Sequence, residues 1–178
     1  MTDELRVPRR TDVYPSIAPD TFSREEFSEK VVLVTGGGNG LGKAAGLAFA
    51  QLGSHIAFAD ISKSDADSAA LEAHERFGVK AIGVHMDVSK LADNERLVEI
   101  VENELGWIDC IIFSAVIARW DTLDLTTSEG WWHVMETNLK GPVDLTRLVI
   151  PSMLKRNTGT LIYHASRVRL DSIIPMLS

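Results

Sequence analysis

The stretch VVLVTGGGNGLG, Val31 to Gly42, joins a β-branched run to five glycines. A continuous apolar run ended by glycine reads as a strand buried on both faces. Leu41, Ala45, Ala48 and Leu52 follow at helical spacing, and Gly53 supplies the stop. The glycines therefore occupy a turn between a buried strand and a helix. In such a turn Gly36, Gly40 and Gly42 let the backbone bend tightly and approach a ligand. The helix opening near Leu41 would aim free N–H groups and its positive dipole end at a pyrophosphate. A purely structural turn is the alternative for the glycines taken alone.

Further along, short apolar runs alternate with amphipathic segments. Strands are expected at His55–Ala59, Ala81–Met86, Ile108–Phe113 and Thr160–His164. Between them, Asp65 to Phe77 reads as a helix, and Leu97, Val101 and Leu105 stripe another, with Ser89 as its cap. Thr126 and Glu129 form a capping box for a long helix reaching about Lys155, with a kink near Gly141 from Pro142. Strand and helix alternate five times, which builds an α/β fold: a Rossmann-type, doubly wound parallel sheet. Residues 1–29, broken by Pro8, Pro15 and Pro19, read as an irregular arm before a domain at 30–178. Tyr14, Phe22 and Phe27 are expected to pin that arm to the domain.

The totals narrow the function. The chain has 178 residues, 45% apolar and 24% charged, with a net charge of −7. That charge argues against a nucleic-acid or anionic-membrane partner, since both demand a basic face. No run approaches a membrane span, and MTDELRVPRRTDVYPS lacks the apolar core of a signal peptide. The single cysteine, Cys110, sits in the apolar run IDCIIF and reads as a buried side chain. A cytoplasmic location is expected. The five histidines lack metal-ligand spacing, so no metal site is expected. His164 reads as a sheet histidine, and Tyr163 as a packed strand aromatic.

Asp60 extends the case for a nucleotide. It ends the second strand, close to the ~20 residues expected beyond a glycine turn of this kind. A carboxylate there can accept both hydroxyls of an adenosine ribose and repel a 2′-phosphate. NAD is therefore expected over NADP, and Asn39 brings no compensating basic residue to the turn.

TGGGNGLG, spaced Thr-Gly-x-x-x-Gly-x-Gly, resembles the short-chain dehydrogenase/reductase family. So do Asp87-Val88 after the third strand, Asn138 in ETNLKGP, and GTLIYHAS, which ends in Ser166. VYPSIAP and Trp131-Trp132 are similar to members from fungal secondary metabolism. The resemblance implies hydride transfer between a nicotinamide cofactor and a secondary alcohol or ketone, and homo-oligomers in the intact form. It implies that Ser166 hydrogen-bonds the reacting oxygen and that Asn138 holds a water in the proton relay. It places Thr35, Gly36, Asn39, Gly40, Leu41, Gly42, Asp60, Asp87, Val88, Ser114 and Lys140 among the cofactor-binding residues.

Two departures stand out. Where the family has Asn-Asn-Ala-Gly, this chain has Phe113-Ser114-Ala115-Val116, and Val116 adds bulk where the cofactor approaches. The family's Tyr-x-x-x-Lys, about a dozen residues beyond the serine, would fall just past Ser178. The chain therefore reads as C-terminally truncated and inactive alone. Its last strand would be an unpaired, aggregation-prone edge. The alternative is a non-catalytic nucleotide-binding or regulatory fragment.

Overall fold

The computed structural model describes residues 27–118 and 126–165. Five strands, β1 (Val31–Thr35), β2 (His55–Asp60), β3 (Ala81–His85), β4 (Ile108–Phe113) and β5 (Thr160–Tyr163), form one sheet. All pairs are parallel, in the order β3-β2-β1-β4-β5. The crossovers are α1 (Gly40–Gln51), α2 (Lys63–Phe77) and α3 (Leu91–Glu104). A composite helix follows β4: α4 (Ser128–Met135), a π-helical turn at Glu136–Lys140, and α5 (Gly141–Arg156). The order reverses beside β1, where a crevice opens above the carboxyl ends of the strands. The doubly wound expectation holds.

Alternation along β1 divides the core into two layers. Leu33, with Ala57 and Ile111, packs under Leu97 and Val101 of α3 and Leu145, Val149 and Met153 of α5. Val32 and Val34, with Phe58 and Ile112, pack under Ala50 of α1 and Ala69, Ala70 and Ala73 of α2. β1 is buried along its whole length, whereas Tyr163 on β5 is 49% exposed. Among the described residues β5 pairs only with β4.

The structure revises several local expectations. The face α1 buries is Gly42, Gly46 and Ala50, while Leu41 is 76% exposed. The cause is close packing: a Cβ on Gly46 would lie 2.3 Å from Phe58 Cε1. Ser89 does not cap α3; Lys90 holds that position, without a side-chain bond. The Ser89 hydroxyl donates instead to Asp87 at 2.7 Å. The cap of α4 is Thr127, whose hydroxyl accepts from the Gly130 amide at 3.1 Å, so the capping box at Thr126 is displaced by one residue. The kink expected near Gly141 takes the form of the π turn, which ends immediately before it. A second proline, Pro151, lies within α5. Phe27 does anchor the start of the domain, edge-on to Phe49 at 5.6 Å. The rest of the expected arm, with Tyr14 and Phe22, lies outside the described residues.

Candidate functional site

Two cavities adjoin above the carboxyl ends of the strands. The smaller, about 270 Å³, is lined by Asp60, Met86, Asp87, Val88, Ile117 and His133 among others. The larger, about 640 Å³, lies over the glycine turn and reaches Asn138, Pro142, Tyr163 and His164. Gly36, Ser114, Ala115 and Val116 form their common wall. The result is one trough running across the switch point of the sheet.

Close approach dictates the glycines of the turn. Gly36 has φ +64°, and a Cβ there would lie 2.7 Å from Ala115 Cα. A Cβ on Gly42 would lie 2.1 Å from the Gly36 carbonyl oxygen. Gly40 has nothing within 4 Å of its Cβ position, so the turn is open on the cavity side. Asn39 caps α1, its Oδ1 accepting from the Gly40 amide at 2.7 Å. Thr35 is fully buried and lines neither cavity. Its hydroxyl accepts from the Ser114 and Ala115 amides at 3.3 and 3.4 Å, which fixes the end of β4.

Asp60 stands at the end of β2. One carboxylate oxygen accepts from Gly38 N–H and the other from Ser62 N–H, each at 3.0 Å. A carboxylate offers about four acceptor positions, so both oxygens retain capacity for a ligand. Asp87 accepts from the Ser89 amide and hydroxyl, and its own amide donates to Asp93 at 2.9 Å. Burial alone would raise its carboxyl. The Ser89 hydrogen bonds outweigh that, with help from Lys90 and His133, and hold it below the ordinary range.

Asn138 lies in the π turn. Its Nδ2 donates to the Ile117 carbonyl at 2.8 Å and its Oδ1 accepts from the Ile117 amide at 2.9 Å. This two-way clamp holds the segment after β4 against the helix. Behind it, a Cβ on Gly141 would lie 2.4 Å from the Val88 carbonyl oxygen, so the helix passes directly over the loop after β3. The Val88 carbonyl is itself held by Asn94 Nδ2 at 3.0 Å. Lys140 corrects an expectation. It pairs with Asp144 at 2.7 Å and lines a separate groove with Trp132 and Leu139, not the trough. Ser166 lies outside the described residues.

Tyr163 stacks on Phe113 with ring centroids 4.4 Å apart. Thr146 gives its one proton to the Pro142 carbonyl, so the Tyr163 hydroxyl donates to Thr146, at 2.6 Å. It is a packed aromatic, as the sequence implied. His164 is more than a sheet histidine: its Nδ1 lies 3.0 Å from Ser114 Oγ, inside the larger cavity. His133 of α4 lines the smaller cavity near Asp87. The signal for His164 was in the register, because Phe113 opposite Tyr163 puts the next residues, Ser114 and His164, side by side. Among the described residues no group of three or more His, Cys, Asp or Glu side chains could hold a metal.

The family profile described as short chain dehydrogenase matches residues 30–175. The chain belongs to the short chain dehydrogenase family. It is 36% identical over 165 residues to a short chain dehydrogenase of Pseudocercospora fijiensis, covering 91% of this chain and 52% of that protein. It is 36% identical to the 3-oxoacyl-[acyl-carrier-protein] reductase FabG of Thermotoga maritima, over 78% of this chain and 56% of that one. The short chain dehydrogenase pigC of Monascus ruber matches at 32%, over 94% and 56%. Among solved structures, an L-sorbose reductase of Gluconobacter frateurii complexed with NADPH and L-sorbose superposes with a TM-score of 0.76 at 29% identity. That match covers 84% of this chain and 56% of the reductase. The chain thus spans about half the length of the curated relatives it matches.

Proposed function

We propose that the trough is the dinucleotide site of an oxidoreductase moving hydride between a nicotinamide cofactor and a small secondary alcohol or ketone. The observation that carries this reading is the open glycine turn beside Asp60 at the switch point of the sheet. The residues fit such a group. The Gly40 side of the turn is unfilled, Gly36 and Gly42 exclude any Cβ, and the N-terminus of α1 faces the cavity that an anion would enter. Asp60 would take the ribose hydroxyls, Asp87 and Val88 the adenine end, and Asn39 through Gly42 the diphosphate. The bound cofactor supplies or accepts the hydride.

NAD is the preferred form on this reading, because the Asp60 carboxylate would face the 2′-phosphate of NADP. The NADPH in the L-sorbose reductase makes a direct comparison of both cofactors the informative one. Asn138, with both ends of its amide on Ile117, shapes the wall between the cavities, and Ser166 would bind the reacting oxygen. The sequence contains two tyrosines, Tyr14 and Tyr163, and Ala18 and Arg167 stand where a lysine would complete Tyr-x-x-x-Lys. These 178 residues supply the dinucleotide cradle on this reading, and hydride transfer would need a proton donor other than a Tyr-x-x-x-Lys pair within them. The exposed apolar side chains Leu139, Val143 and Leu154 supply a surface for a homo-oligomer.

Fluorescence titration with NADH and NADPH, beside a hydride-transfer assay, tests this. NADH should bind about tenfold more tightly, a preference of about 1.4 kcal/mol, and Asp60→Ala should erase it. Absence of binding to either cofactor sinks the site assignment. Turnover by these 178 residues would show that hydride transfer here does not need a Tyr-x-x-x-Lys pair.

A further inference from the structure

We propose that His164, anchored through Nδ1 on Ser114, is the cationic contact for the diphosphate in the larger cavity. This rests on the dinucleotide reading above and names a group that the glycine turn lacks.

The turn presents amides but no fixed positive charge, since Asn39 stands at its tip. The nearest basic residue on α1, Lys43, is paired with Glu72 at 2.8 Å, and Lys140 beyond Asn138 is paired with Asp144. Among the described side chains lining the larger cavity, the titratable ones are Tyr163 and His164. The Tyr163 hydroxyl is committed to Thr146. The titratable groups of the neighbouring cavity, Asp60, Asp87 and His133, line the other side of the Ser114–Val116 wall.

His164 is held at both ends of its residue. Its amide donates to the Phe113 carbonyl at 3.1 Å, extending the β4–β5 ladder, and its Nδ1 meets Ser114 Oγ at 3.0 Å. Ser114 in turn lies against the turn, since a Cβ on Gly42 would come within 3.2 Å of Ser114 Cβ. The imidazole is thereby tethered beside the opening of α1. Its Nε2 has no hydrogen-bond partner among the described residues, so it is available to a ligand.

Histidine is the side chain whose charge ordinarily changes between about pH 5 and 8. In the protonated form Nδ1–H donates to Ser114 and Nε2–H to a phosphoryl oxygen, adding charge to the hydrogen bond. In the neutral form Ser114 donates to Nδ1, and Nε2–H remains without the charge. Affinity for a diphosphate therefore rises as pH falls, while affinity for a nucleoside does not.

The test is calorimetric titration of the chain with ADP-ribose and with adenosine, at about pH 6 and about pH 8. ADP-ribose should bind about three- to fivefold more tightly at the lower pH, the scale of a solvent-facing ion pair. Adenosine should show no such step. His164→Gln should abolish the step, Ser114→Ala should shrink it, and His164→Lys should give the low-pH affinity at both values. A step that survives in His164→Gln, or appears equally with adenosine, overturns the assignment to His164. So does pH-independent ADP-ribose binding by the wild type. If neither ligand binds at either pH, the dinucleotide reading falls, and this inference with it. Circular dichroism melts confirm that each variant is folded.

Discussion

The two ends of the trough share a wall but are held in different ways. At the β2–β3 end, Asp60 and Asp87 are gripped by backbone amides of their own or the adjoining loop: Gly38, Ser62 and Ser89. At the β5 end the grips are between side chains on distant segments, as in Ser114 with His164, 50 residues apart, or Thr146 with Tyr163. β1 beneath the first end is buried throughout, and β5 beneath the second is half open. The β2–β3 end is thus shaped by turns that form with the sheet, and the β5 end depends on packing between segments distant in the chain.

The largest effect is expected from Gly42→Ala, in the glycine turn on which both ends border. The new Cβ meets a backbone oxygen rather than a pliable side chain, and α1 must lift from β1. A loss of about 2–4 kcal/mol is expected in denaturant unfolding, with loss of dinucleotide binding. A variant within about 0.5 kcal/mol of the parent would refute the packing argument.

Asn138→Ala probes the second half. It removes both hydrogen bonds to Ile117, with an expected cost of about 1–2 kcal/mol. It should also speed exchange of the Ile117 amide, read by hydrogen–deuterium exchange, while the Gly38 amide on Asp60 keeps its protection. Equal acceleration at both amides would mean that the two ends are not independent.

The smallest effect is on acid stability. The folded carboxyl of Asp87 lies below its ordinary value of 3.8, so folding favours its ionised form. That contribution is complete above the ordinary value and is lost as pH falls through it toward the folded value. Between about pH 5 and 3 the melting temperature of the wild type should fall more steeply than that of Asp87→Asn. Parallel curves would show that the Ser89 hydrogen bonds do not favour the charged form.

What was legible in the sequence follows the same division. The buried strands, the glycine turn and Asp60 are local patterns: β-branched runs, a cluster without side chains, and a carboxylate at a fixed distance. Helix faces were harder to read. Leu41 pointed to an apolar stripe on α1, but Phe58 against Gly46 and the Gly36 carbonyl against Gly42 leave no room for side chains on the buried side. The resemblance places Lys140 at the cofactor, but a helical residue's direction depends on phase, which the π turn alters. The Ser114–His164 pair needs the β4–β5 register, which no single segment contains.

The π turn has a consequence for how the chain tolerates change. It adds one residue to a helix in which each residue turns the axis by about 100°. α4 and α5 therefore work like two cams set at different angles on one shaft. The turn presents Asn138 to the trough, and α5 presents Leu145, Val149 and Met153 to the sheet. Deleting a single residue between Glu136 and Lys140 would straighten the shaft and bring the cams out of time. Either the clamp or the core face would then point the wrong way. This stretch should accept exchanges of side chain but not a change of length.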